Sequence, residues 1–153
     1  MSNTISYSLN KASPAEITLH LLRADVAFVP DLSSRVDIHA YAEKLHDKAD
    51  RFEAWINQEL VGLMAAYCNQ QQKGKTFVSS VSVWPKCQGK GIAGRLMQLC
   101  IEHAKNLGFT QMELDVNQQS LAALALYQKF GFNVLHSVGD TLTMSMTLER
   151  SNK

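Results

Sequence analysis

Apolar and polar positions alternate along the chain in two periods, and the switch between them predicts the elements. Residues 5–9 alternate as a short strand, and Ser13-Pro14 then supplies a helix cap with Pro at the first helical position, predicting a helix through Leu22. Pro30 interrupts the next stretch, and from Val36 the spacing of Ile38, Tyr41, Ala42, Leu45 and Ala49 predicts a second helix. Residues 51–56 and 59–68 read as a hairpin joined by Asn57-Gln58, with Gly62 marking a bulge, and the polar run 69–75 reads as a loop. A strand over 76–83 puts Phe77, Val81 and Val83 on one face and Ser80 and Ser82 on the other.

The main amphipathic helix is predicted over 91–107, where Ile92, Leu96, Leu99, Cys100 and Leu107 recur at helical spacing and Gly108 suits the left-handed position that ends a helix. Residues 111–117 alternate again, with Met112, Leu114 and Val116 inward and Glu113 and Asp115 opposite; 120–130 reads as an apolar helix. Strands over 132–138 and 141–148 flank Gly139-Asp140, the second alternating through Leu142, Met144, Met146 and Leu148. Strands and helices interleave without a repeat or linker, so the class is α/β or α+β with a mixed sheet, one unit over 4–150. The regular apolar final strand, with its Met pair, is a candidate dimer seam.

Composition narrows the function. With 46% hydrophobic residues, 19% charged residues and a net charge of +1 over 153 residues, the chain can bury a core and gives no electrostatic reason to expect nucleic acid as a partner. The longest apolar run, 61–68, is far short of the roughly 20 residues that cross a bilayer, and the first ten residues lack the pattern of a secretory signal. Cys68, Cys87 and Cys100 are neither a close pair nor an even set, which argues against a disulfide framework or a clustered zinc site. The expectation is a cytoplasmic protein with reduced thiols and no metal.

The most informative stretch runs from Val81 to Gly94, where a strand enters a glycine-rich turn that opens the long helix. Unpaired backbone N–H groups at a helix start, the helix dipole and the access that glycine allows make such a turn a phosphate site, with Lys90 and Arg95 as nearby cations. Gly89, Gly91 and Gly94 match the dinucleotide fingerprint, with Asp115 about the right distance beyond. In that fold, however, the strand runs almost directly into the first glycine, whereas Trp84 to Gln88 intervene here, and only 59 residues follow Gly94. A nucleoside triphosphate loop fails because no Gly-Lys is followed by Ser or Thr.

Gln88-Gly89-Lys90-Gly91-Ile92-Ala93, the Val-x-Val-x-Pro approach at Val81 to Pro85, and Leu126-Tyr127-Gln128-Lys129-Phe130-Gly131-Phe132 after Ala123 together resemble the two signatures of the GNAT superfamily of acetyl-coenzyme A-dependent N-acetyltransferases. The resemblance covers nearly the whole chain. It implies a mixed, mostly antiparallel sheet of six or seven strands, splayed beside the glycine turn, with about four helices on both faces. It also implies acetyl-coenzyme A as donor, backbone amides from Gln88 through Gly89, Lys90, Gly91, Ile92 and Ala93 to Gly94 on the pyrophosphate, and backbone groups of Val81, Ser82 and Val83 on pantetheine. Tyr127 becomes the general acid that protonates the leaving thiolate. The family usually has Asn seven residues before this Tyr; here Ser120 stands there, either contacting coenzyme or capping the helix.

The strand before the turn offers Ser79, Ser80 and Ser82 but no acid, so no general base is in place; Glu113, Asp115, Glu53, His39 and His136 are the remaining candidates. Cys87 has no assignable His partner and reads as a structural or surface thiol. The resemblance implies an acceptor side in 24–49, whose mixed Asp31, Arg35, Asp37, His39, Tyr41 and Glu43 suit a polar small amine; the segment from Phe28 to Arg35 resembles acetyltransferases of bacterial surface-sugar pathways, which implies an amino sugar as one acceptor beside an amino acid. A noncatalytic coenzyme A-binding or sensing module, and more remotely a dinucleotide binder, are the alternatives.

Overall fold

The computed structural model describes residues 4–68 and 74–149. Strand β1 (Ser6–Leu9) precedes helix α1 (Pro14–Ala24), which opens on a capping box: Ser13 accepts from the Glu16 amide, and the Glu16 side chain accepts from the Ser13 amide. Two short 3-10 turns, Asp25–Ala27 and Leu32–Ser34, lead to α2 (Ile38–Lys48), capped by Asp37. Strands β2 (Asp50–Ile56) and β3 (Glu59–Tyr67) form the expected hairpin. Asn57 and Gln58 supply the left-handed turn themselves, with φ of 51° and 68°, although neither is Gly.

The second half contains β4 (Lys75–Val83), α3 (Ile92–Asn106), β5 (Gln111–Asn117), α4 (Leu121–Phe130), β6 (Asn133–Val138) and β7 (Thr141–Thr147). Of the loop expected over 69–75, residues 69–73 lie outside the described residues, and Lys75 already belongs to β4. The seven strands make one sheet in the order β1-β2-β3-β4-β5-β7-β6, antiparallel throughout except where β4 meets β5. This is the mixed, mostly antiparallel sheet with four α-helices that the resemblance implies.

Helices cover both faces. Leu63 and Ala65 of β3 pack with Ile17, Leu21 and Leu45 of α1 and α2, whereas Met64 and Ala66 pack with Leu96, Met97 and Cys100 of α3. Residues 60–66 of β3 are accordingly buried without a break, as in a central strand covered on both sides. The bulge expected near Gly62 is present: Ala54 opposes Gly62 and Trp55 opposes Leu60, leaving Val61 as the extra residue. A Cβ at Gly62 would lie 2.6 Å from Ile92 Cγ2, so the missing side chain lets the start of α3 seat on the sheet.

Two expectations are corrected. The faces of β4 do not follow simple alternation, because Ala65 opposes Ser80 while Ala66 opposes Val78, leaving Ser79 as a bulge. Val78, Val81 and Val83 consequently join the α3-side core, Phe77 sits opposite Tyr67, and Ser80 and Ser82 keep the other face, each only 5% exposed. The final strand is no edge either. β7 lies between β5 and β6, Met144 is fully buried and Met146 packs half-buried against the core, so the proposed seam is interior. No helix among the described residues is long and apolar enough to cross a membrane.

Candidate functional site

Strands β4 and β5 pair only over Lys75–Val78 and Gln111–Leu114. Beyond Val78 they part, and a cavity of about 750 Å³ opens between them. One wall is β4 from Ser79 to Val83; the turn and the first residues of α3 form the floor, and Asp115, Asn117, Ser120 and Tyr127 form the opposite wall. Ala27, Phe28, Val29 and Arg35, from the connection between α1 and α2, close the remaining side. Because β5 has moved away, one edge of the β4 backbone faces the cavity without a strand partner.

The turn is built by the chain around it. The Trp84 amide donates to the Val61 carbonyl at 2.8 Å, Pro85–Cys87 makes one 3-10 turn, and Gly89 and Gly91 then adopt φ of 84° and 77°. Those left-handed positions, not lack of space, call for glycine: a Cβ at either would meet nothing within 4 Å. The first bond that closes α3 runs from the Arg95 amide to the Gly91 carbonyl at 3.1 Å, so the preceding amides are left for a ligand at the positive end of the helix dipole. Val81, Ser82, Val83, Gln88, Gly89, Gly91, Ile92, Ala93, Gly94, Ser120 and Tyr127 all line the cavity. Lys90 is exposed and is absent from its wall.

Tyr127 is 6% exposed, packs edge-on against Phe132 at 5.8 Å between ring centres, and is held neutral because burial pushes its phenol up to about 12. Ser120 occupies the N-cap position of α4 but makes no side-chain capping bond, which leaves its hydroxyl to the cavity. Of the candidate bases, only Asp115 reaches the cavity, and its carboxylate accepts from the Thr143 hydroxyl at 2.7 Å. Glu113 is ion-paired with Lys75 at 2.8 Å, while His39 and His136 are exposed and do not line the cavity. Glu53 is fully buried as a latch, accepting from Ser8, from the Lys11 and Ala12 amides and from Arg51.

The structure adds one group that sequence reasoning missed. His20, 1% exposed on the buried face of α1 with Ile17, Leu21 and Ala24, lies with Nδ1 3.0 Å from the Leu60 carbonyl and Nε2 2.9 Å from Ser82 Oγ. Burial pulls its ring down to about 4, with the nearby Arg23 charge acting in the same direction. Its place three residues after Ile17 was visible as core spacing, but its partners were not. Next to Ser82 on the same strand face, Ser80 Oγ is buried without a hydrogen-bond partner among the described residues. On the acceptor side, Tyr41 and Ser79 share a hydroxyl pair at 2.9 Å, and Arg35 sits 5.9 Å over the Phe28 ring.

Cysteine spacing gave no sign of a cluster, yet Asp50, Cys68 and His103 bring their ligand atoms within 4.8 Å of one another at the far end of β3 from Gly62, outside the cavity wall. Burial, then the Asp50 charge, raises the Cys68 thiol to about 12.

A sheet that splays around a helix-start anion cradle, with a buried neutral phenol in the opening, defines a class of fold suited to a long phosphate-bearing ligand laid between separating strands. The chain belongs to the Acetyltransferase (GNAT) family, whose model matches residues 17–132. It is 30% identical over 88 residues to the uncharacterized N-acetyltransferase YvbK of Bacillus subtilis, covering 58% of this chain and 56% of that protein. The matched part therefore spans just over half of that relative's length. It is 27% identical over 105 residues to the [ribosomal protein bS18]-alanine N-acetyltransferase of Escherichia coli, covering 67% of this chain and 70% of that one. The structure superposes on PaiA N-acetyltransferase from Thermoplasma acidophilum in complex with coenzyme A with a TM-score of 0.73 at 19% identity, covering 93% and 99% of the two chains.

Proposed function

We propose that residues 4–150 act as one N-acetyltransferase domain that transfers the acetyl group of acetyl-coenzyme A to a primary amine of a small molecule, an amino acid or amino sugar. The observation that carries this reading is the cavity itself, which joins the anion cradle at Gln88–Gly94, the unpaired edge of β4 and the neutral phenol of Tyr127 in one continuous wall. The cradle amides take the pyrophosphate; the β4 edge takes the pantetheine amides and helps polarise the thioester carbonyl. The amine nitrogen attacks the thioester carbon, the C–N bond forms, the C–S bond breaks, and Tyr127 gives its phenolic proton to the departing thiolate. The nitrogen's proton leaves through the cavity mouth to water, and no metal is required.

A small polar acceptor is supported by the cavity lining, where Ser79, Ser80, Phe28 and Arg35 offer hydroxyls, an aromatic face and one cation. The three free cysteines support a reducing compartment, the cytosol. The test is thiol release from acetyl-coenzyme A in the presence of amino acids, amino sugars, polyamines and an alanine-starting peptide. Amino acid or amino sugar turnover supports the reading; turnover of the peptide alone overturns the acceptor class, and saturable coenzyme binding without turnover of any amine favours a sensing module.

A further inference from the structure

His20 is fixed in one tautomer by its neighbours. The Leu60 carbonyl can only accept, so Nδ1, 3.0 Å away, carries the hydrogen and Nε2 presents a lone pair. Ser82, 2.9 Å from Nε2, must then donate its single hydroxyl hydrogen to the ring. The ring is 1% exposed, so water has no access to offer an alternative arrangement, and burial keeps it neutral. With that hydrogen committed, Ser82 Oγ has only lone pairs left.

The polarity matters to a nucleophilic nitrogen. A neutral primary amine has two N–H donors and one lone pair. A freely rotating hydroxyl can donate to that lone pair and quench it; a hydroxyl locked as an acceptor can only bind an N–H and leave the lone pair for the carbonyl carbon. Ser80 and Ser82 line the cavity, as do Phe28 and Arg35, and the buried Ser80 hydroxyl has no partner among the described residues. Such a group is unsatisfied until a ligand or water meets it. From this juxtaposition we propose that Ser82, its polarity locked by His20, is the acceptor-only group that takes one N–H of the incoming amine, so that the nitrogen lone pair turns to the thioester. Ser82 touches substrate; His20 is a positioning residue that acts through it. The inference deepens the acetyl-transfer reading above and rests on it.

The test needs no identified acceptor. Carboxamidomethyl-coenzyme A and acetonyl-coenzyme A have nearly the same shape and differ only in an NH2 where the other carries CH3, so that one of them sets an N–H donor beside the carbonyl carbon. Calorimetric titration of the wild-type protein should show the amide binding about tenfold more tightly, the worth of one good buried hydrogen bond. Ser82→Ala and His20→Phe should bring that ratio close to one. His20→Gln, whose amide can donate to Leu60 and accept from Ser82, should restore it. A wild-type ratio near one, a ratio that survives Ser82→Ala, or Phe and Gln variants with equal ratios would each overturn the proposal. Thermal melts check folding, and if His20→Phe does not fold, Ser82→Ala decides alone. Failure of both ligands to bind the wild type overturns the coenzyme site itself, which is a separate result from a lost preference.

Discussion

Gly62→Ala probes the seam between the sheet and the helix that opens the anion cradle. The added methyl would sit 2.6 Å from Ile92 Cγ2 and 3.3 Å from both Ala54 Cβ and Leu96 Cδ1. Carbon atoms rest at about 3.5–4.0 Å, so Ile92 must retreat by roughly 1 Å. It has little room to do so by rotation, being 2% exposed, and it is the first residue of α3, so the displacement reaches the cradle. Overpacking of this kind costs about 1–3 kcal/mol, and a protein of this size loses roughly 2–4 °C per kcal/mol, which predicts a fall in Tm of roughly 2–12 °C. Acetyl-coenzyme A should bind more weakly in the same variant. Ile92→Ala removes the clashing methyl and alone costs about 2–5 kcal/mol, but the double variant should be at least about 1 kcal/mol more stable than the sum of the single effects. Thermal melts and calorimetry read both quantities. A Gly62→Ala protein that melts within 1 °C of wild type and binds the coenzyme unchanged would refute the reasoning, because α3 would then not be seated on β3 as described.

Tyr127→Phe should lower kcat about 100-fold or more with little change in the affinity for acetyl-coenzyme A, since general acid catalysis contributes about 10²–10⁴; unchanged turnover would remove Tyr127 from the mechanism. Because burial holds its phenol near 12, the rate should show no loss from Tyr127 ionisation up to pH 10. His20 titrates near 4 in the fold and near 6.5 when unfolded, so between those values the unfolded chain binds the extra proton. Its contribution is full above pH 6.5 and is lost as the pH falls toward 4, up to about 3 kcal/mol, and urea melts of His20→Gln should show a flatter dependence over that window. Cys87, in the cavity wall, should be protected from N-ethylmaleimide by coenzyme A, whereas Cys68 and Cys100, both raised by burial, should react slowly with or without it; peptide mapping distinguishes the three.

What the sequence made legible was local. The helix cap at Ser13, the Asn57-Gln58 hairpin and the glycine turn into α3 are written in neighbouring residues, and each appears where the pattern put it. The features that were hidden depend on distant partners. The bulge at Ser79 is set by the register with β3, and it sends Phe77 to the face opposite its expected companions. Glu53 looked like a free carboxylate because the Ser8 hydroxyl and the Lys11 and Ala12 amides that claim it come from more than 40 residues earlier. His20 finds Leu60 and Ser82 at separations of 40 and 62 residues, so its single fixed tautomer appears only once α1 is laid on the sheet. Lys90, between the two left-handed glycines, is exposed and does not line the cavity.

The most direct measurement is a calorimetric titration with acetyl-coenzyme A, run beside coenzyme A and a nicotinamide dinucleotide. The account predicts saturable one-to-one binding of both coenzyme A forms and no heat from the dinucleotide. Binding of the dinucleotide alone, or of none of the three, would contradict it, since the cavity between β4 and β5 would then not be a coenzyme A site.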